Sequence, residues 1–130
     1  MADAGYVRQV AGIVLKKKAA GHRVAVVVSA RARQTDSFIE EARSFTPNPP
    51  PREMDMLLSS GERISAALLS IALHAAGCRA NALSGSQAGI ITDDNHTNAR
   101  IIEVRPYRVL RAIEEGVVPV VGGFQGVSFK

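Results

Sequence analysis

Apolar residues recur at helical spacing over 3–20, where Tyr6, Val10, Ile13 and Val14 define one face and Arg8, Lys17 and Lys18 can turn to water. The pattern predicts an amphipathic helix, with Asp3 as a candidate cap and Gly21 as its stop. The period then changes. "RVAVVVS" at 23–29 is a continuous β-branched run, which predicts a strand buried on both faces, as in a parallel sheet. "ARARQTD" reads as a polar loop leaving that strand, with Thr35 or Asp36 capping a helix over 37–45. "TPNPPPRE" cannot continue a helix, because proline lacks the amide donor and clashes with the preceding turn. It predicts a rigid surface connection.

Helical spacing resumes at 53 and runs to Ala76, with a break expected near Ser59 to Gly61 and a stop at Gly77. "RANALSG" at 79–85 predicts a short strand and turn, and "SQAGIITDDNHTNARI" at 86–101 mainly loop. "RPYRVLRAIEEG" at 105–116 predicts a helix with Pro106 in its first turn and Gly116 at its end. "VVPVVGGFQG" at 117–126 predicts a strand entering a glycine-rich loop, with Pro119 as the local objection because it forfeits a ladder donor. The succession of elements predicts one α/β domain with a mainly parallel, helix-covered sheet. In such sheets ligands bind where strand C-termini meet loops, which puts "SARARQTD" and "GGFQG" at the expected site.

Composition narrows the partners. The 130 residues are 46% apolar, enough for a folded core. Sixteen basic residues against twelve acids give a formal charge of +4, but the arginines are dispersed from 8 to 111 rather than clustered in a nucleic-acid footprint. An anionic small substrate fits this balance equally well. Cys78 has no internal disulfide partner, which points to a reducing compartment, and basic residues follow the N-terminal apolar run instead of preceding it, unlike a signal peptide. No uninterrupted apolar run reaches the length of a membrane span. A cytoplasmic location is expected, without nucleic acid or membrane as partner.

Ser29 and Thr35 carry hydroxyls at a strand exit, where they either bind a carboxylate or phosphate or satisfy the local turn and cap. Gly122, Gly123 and Gly126 around Phe124 either cradle a ligand or simply permit tight turning; the Gly-Lys-Ser/Thr ending of a phosphate loop is absent. Glu62 is either an exposed helix acid or a carboxylate that grips an ammonium group. His22, His74 and His96 are scattered, and "DDNH" at 93–96 specifies too few positions for a calcium site, so no metal is expected.

Taken in order, "VAVVVSARARQTD", "REMDMLLSSGERIS", "ALLSIALHAAG", "SGSQAGIITDDNHTNARI" and "VVPVVGGFQGV" resemble the N-terminal part of the catalytic domain of bacterial aspartokinase, within the amino acid kinase superfamily. The resemblance covers almost the whole chain. It implies an incomplete three-layer α/β/α sandwich with a Rossmann-like sheet, residues 1–130 forming the amino acid substrate-binding half of the kinase domain. It also implies transfer of the γ-phosphoryl of ATP, with Mg2+, to the β-carboxylate of L-aspartate, at the head of lysine, threonine, methionine and diaminopimelate biosynthesis. By the same resemblance Ser29 and Thr35 line the pocket, Glu62 binds the α-ammonium, Phe124 borders the amino acid, and Arg100 lies in a family motif without an assigned role.

The family opens with a "KFGGTSV"-like loop whose lysine neutralises charge on the phosphoryl group, and it carries a "GRGGSD"-like loop after "GFQG". Neither stands in these 130 residues. The expectation is therefore little or no kinase activity from this chain alone. Alternatives are a non-catalytic amino-acid-binding or interaction fragment, working as a homo-oligomer or with a complementing kinase chain, and another amino acid kinase of the same fold.

Overall fold

The computed structural model describes residues 4–94, 100–123 and 127–128. Its organising element is β5 (Val118–Gly122), buried along all five residues. β5 pairs in parallel with β1 (Val26–Val28) on one side and β2 (Ala80–Leu83) on the other. Alternate amides along it serve alternate neighbours: Val118 N–H donates to Arg79 O at 2.9 Å, and Gly123 N–H to Val28 O at 3.1 Å. Pro119 therefore falls on the β1 side, one residue before pairing with β1 begins at Val26↔Val120. A proline is thereby accommodated in a central strand, at the position where no donor is required.

Side-chain alternation along β5 divides the core into two faces. Val118 and Val120 pack with Val7, Ala11 and Val14 of α1 (Ala4–Ala19) and with Ala66, Leu69 and Leu73 of α3 (Pro51–Ala75). Val121 points the other way, against Leu83 and Ala88, with Val109 of α4 (Tyr107–Glu114) beside them. Helices thus lie on both sides of a parallel sheet, the arrangement expected from the order of elements.

Several boundaries differ from expectation. α1 buries Val7, Ala11 and Val14, while Tyr6 is 49% and Ile13 56% exposed. The apolar stripe is thus rotated toward small Ala11, which lets α1 approach α3. β1 spans three residues rather than seven and is not buried on both faces. Val27 stands on the side opposite α1 and α3 and is 71% exposed. α2 (Ala32–Phe45) starts earlier than its candidate caps allow, because Arg31 is the N-cap residue and its carbonyl accepts from Gln34 N at 3.0 Å and Thr35 N at 3.1 Å. The described part of 86–101 is mainly loop, as expected, but it also carries a short strand beyond that expectation. β3 (Ile90–Thr92) and β4 (Ile101–Val104) pair antiparallel, and β3 also pairs in parallel with β6 (Val127–Ser128), forming a second sheet of order β4-β3-β6. Asp93 closes the pairing of β3 and β4: its amide donates to Arg100 O at 3.0 Å, and its Oδ1 accepts from Arg100 N at 3.2 Å. Glu103 bonds to the Arg105 guanidinium at 3.0 Å, which raises the arginine's pKa further.

α3 runs unbroken for 25 residues, without the break expected near Gly61. A Cβ on Gly61 would stand 2.8 Å from Ala30 Cβ, 3.4 Å from Gln34 Oε1 and 3.7 Å from Phe38. The glycine thus admits the β1–α2 segment against α3, and its helix-propensity cost is accepted for that approach. Gly61→Val is expected to lose about 2 kcal/mol of stability through overpacking, read from urea unfolding; an unchanged midpoint would show that the contact yields freely. Contrary to the expectation from uninterrupted runs, α3 is long and apolar enough to cross a membrane by length and composition alone. Its apolar stripe is instead spent on β2, β5 and α1, which makes it the core helix of this domain.

Candidate functional site

The middle of α3 lies over the C-terminal end of β5. Glu62 is 6% exposed there, so the exposed-acid alternative is excluded. A Cβ on Gly122 would stand 3.2 Å from Glu62 Cβ and 3.5 Å from Oε2. Gly122 thereby provides the room in which the carboxylate is buried. The next glycine serves a similar end: a Cβ on Gly123 would meet Val27 Cγ1 at 2.7 Å. Close packing at the strand ends accounts for both glycines. Gly126 and Phe124 lie outside the described residues.

Ser29 follows the last residue of β1 and is exposed. The next residue, Ala30, touches the Gly61 position of α3, so the β1 exit and the helix segment bearing Glu62 meet directly. Thr35 lies within the first turn of α2 and is half-buried; its hydroxyl donates to Arg31 O at a long 3.5 Å. It is a helix-interior residue bonding back to the preceding turn, not a cap. Ser29, Thr35 and Glu62 thus sit on three segments that converge at the C-terminal edge of the parallel sheet, where α/β folds bind ligands. A buried carboxylate at such an edge is complementary to a cationic group on a small ligand.

Beside this edge a cleft of about 290 Å³ opens between α3 and the end of β2, lined by Arg63, Ala66, Ala82, Leu83, Ser84 and Gln87. Ser84 and Gln87 are mutually committed: Gln87 Oε1 accepts from Ser84 N at 3.0 Å, and Ser84 Oγ from Gln87 N at 3.1 Å. His74, at the far end of α3, bonds to Ala80 O at 2.8 Å and ties the helix to the start of β2. Among the described residues no group of three His, Cys, Asp or Glu could hold a metal ion.

Two buried polar atoms of the α2 start carry no signal in the sequence. Gln34 Oε1 and Arg31 Nε are buried without a hydrogen-bond partner among the described residues. Both stand in a stretch that reads as polar loop; Gln34 Oε1 is buried where α2 meets the Gly61 position of α3.

A helix-covered parallel sheet with a buried carboxylate at its C-terminal edge defines a small-ligand-binding α/β fold. The family profile described as the amino acid kinase family matches residues 1–130, and the chain belongs to that family. It is 51% identical over 128 residues to an aspartokinase of Mycolicibacterium smegmatis, covering 98% of this chain and 30% of the relative, and 48% identical over 122 residues to that of Corynebacterium glutamicum, covering 94% and 29%. The chain therefore spans about 30% of the length of these relatives. The crystal structure of aspartate kinase from Synechocystis superposes with a TM-score of 0.80 at 38% identity, over 96% of this chain and 20% of that one. Escherichia coli aspartokinase III, solved in complex with aspartate and ADP, superposes with a TM-score of 0.78 at 19% identity, over 98% and 39%, and supports the fold alone.

Proposed function

We propose that this chain is the amino-acid-binding portion of an aspartate kinase. The observation that carries the reading is Glu62, buried at the strand edge against Gly122; the kinship to aspartokinases supports it. Glu62 accepts hydrogen bonds from the α-ammonium of L-aspartate and fixes that end of the ligand. Ser29 and Thr35 face its carboxylates from the β1 exit and the first turn of α2, and kinship to aspartokinases, not the described geometry, assigns Phe124 to the same pocket. The β-carboxylate oxygen of the oriented ligand attacks the γ-phosphorus of ATP, giving β-aspartyl phosphate and ADP. The described residues present no carboxylate cluster suited to Mg2+, so no step is assigned to a metal held by this chain. The product feeds amino acid biosynthesis, a cytoplasmic role to which a lone cysteine is suited.

Isothermal titration of the folded chain with L-aspartate, with D-aspartate and L-glutamate as controls, tests the reading. Selective L-aspartate binding is expected, and Glu62→Gln is expected to weaken it about 100-fold, because the ammonium then lacks its buried counter-charge. Equal affinity of wild type and variant would remove Glu62 from the site. A parallel assay of ADP release separates two forms of the proposal. Binding without turnover supports the non-catalytic amino-acid-binding fragment, and turnover restored by a second kinase chain supports complementation.

A further inference from the structure

We propose that the cleft at the exit of β2 is a second binding site of this domain, one that takes a small aliphatic carboxylate. Arg63, Ser84 and Gln87 line it together with Ala66, Ala82 and Leu83, so these side chains share one opening of about 290 Å³, and none of them is acidic. Arg63 and Gln87 are exposed and Ser84 is half-buried, so a ligand reaches all three polar groups from solvent. The bonds within the Ser84–Gln87 turn decide which sign of ligand these groups suit. Ser84 Oγ accepts from Gln87 N, and Gln87 Oε1 accepts from Ser84 N. With those acceptors engaged, each side chain has a donor left to offer, the hydroxyl proton of Ser84 and the Nε2 protons of Gln87. Neither finds an acceptor among the described residues. The Arg63 guanidinium carries five N–H donors and no acceptor, so a partner within the fold does not exhaust it. Helix α3 and the β2 exit thus turn donors and a positive charge into one cleft, which suits a carboxylate and repels an ammonium. The turn is already ordered: Ala88 N donates to Ser84 O at 2.9 Å and Ile90 N to Gly85 O at 3.0 Å, so binding has little left to immobilise. Ala66, Ala82 and Leu83 add an apolar wall, which matches a short hydrocarbon chain rather than a bare inorganic anion. This site stands apart from the amino acid site: Glu62 is buried against Gly122 at the end of β5, whereas Arg63 lines the opening at the end of β2.

Amide-resolved NMR titration of the full 130-residue chain tests the site. Butyrate is the probe, n-butylammonium is the same chain with the opposite charge, and inorganic phosphate is an anion without the chain. Butyrate is expected to bind at about millimolar concentration, as suits a ligand of this size, and to move the amides of Ser84 and Gln87 while those of α1 stay in place. Arg63→Gln is expected to weaken butyrate about tenfold or more, the usual effect of losing a hydrogen bond to a charged group. Arg63→Lys is expected to weaken it less, because it keeps the charge and loses the fork. Ala82→Ile leaves every donor in place and fills the wall with a residue suited to a strand; it is expected to weaken butyrate as well, and it serves equally if the Arg63 variants do not fold. Equal shifts with n-butylammonium would overturn the proposal, because the cleft would then not select charge. Phosphate binding as tight as butyrate would overturn it too, because the apolar wall would then contribute nothing. Unchanged butyrate affinity in either folded variant, or shifts that gather at Ser29, Thr35 and Glu62 instead, would place the carboxylate elsewhere and sink the assignment, as would the absence of any saturable shift in folded wild type. None of these results bears on L-aspartate recognition by Glu62, which the calorimetry above tests separately.

Discussion

Leu69→Ala is expected to destabilise the chain by about 3–4 kcal/mol, the usual range for a leucine truncated in a packed core. Leu69 is fully buried, and it joins α3 to Val118 and Val120 of the central strand and to the Val7, Ala11 and Val14 stripe of α1. Truncation removes contacts to two layers at once. The surrounding elements cannot close the gap readily, because the sheet and α1 hold the same helix from different directions. Total stabilities of domains lie around 5–15 kcal/mol, so the variant loses a large share of its margin. Urea unfolding followed by circular dichroism measures the change. Ile71→Ala provides the control: Ile71 lies on the same helix but is 64% exposed, and a change within about 0.5 kcal/mol is expected. Comparable losses in the two variants would mean that α3 does not bury the stripe described.

The second large effect concerns Gly89. Its φ is +88°, and a Cβ there would stand 1.8 Å from Arg105 O and 2.5 Å from Arg105 C. Both obstacles are backbone, so no rotamer change relieves them. Gly89 O also accepts from Arg105 N at 2.8 Å, immediately before the Ile90↔Val104 pair of the second sheet. Gly89→Ala is expected to cost about 3 kcal/mol or more locally, combining left-handed strain with a backbone clash. The pairing of β3 and β4 then opens before the domain does, since local opening sets an upper limit on the strain that an element can hold. Hydrogen exchange reads this directly. The amides of Asp93 and Arg105 should lose protection, while those of Val118 and Gly123 keep theirs. Uniform loss across all four would show that the two sheets unfold as one unit.

Elements that bury a continuous stripe were the most legible in the sequence. α1, α3 and β5 each pack several apolar side chains into one core, and that burial imposes the periodicity from which they can be read. β3 and β4 escaped for the converse reason. They have three and four residues, and all four residues of β4 are exposed, so neither strand carries a usable alternation of apolar and polar positions. Gly61 suggested a break because propensity is local, whereas its purpose is the approach of Ala30 and Phe38 from elsewhere in the chain. The same limit applied to the site. Glu62 could be singled out as a carboxylate in a greasy helix, but its burial depends on Gly122, sixty residues later in the chain. Gln34 gave no sign at all, because a polar residue in a polar stretch becomes informative only when packing takes its oxygen away from water.

Pro119 has a consequence beyond its own accommodation. If β1 slid two residues toward the beginning of β5, one of its carbonyls would face a ring carbon in place of an amide, with nothing to accept from. The edge strand is therefore blocked in that direction, and Val28 O is held opposite Gly123 N–H. Gly122 lies three residues beyond the proline, roughly 10 Å along the strand. A residue with no polar hydrogen, near the start of β5, thus limits how far the β1 exit can withdraw from the turn of α3 that carries Glu62. That limit is imposed from the opposite end of the strand.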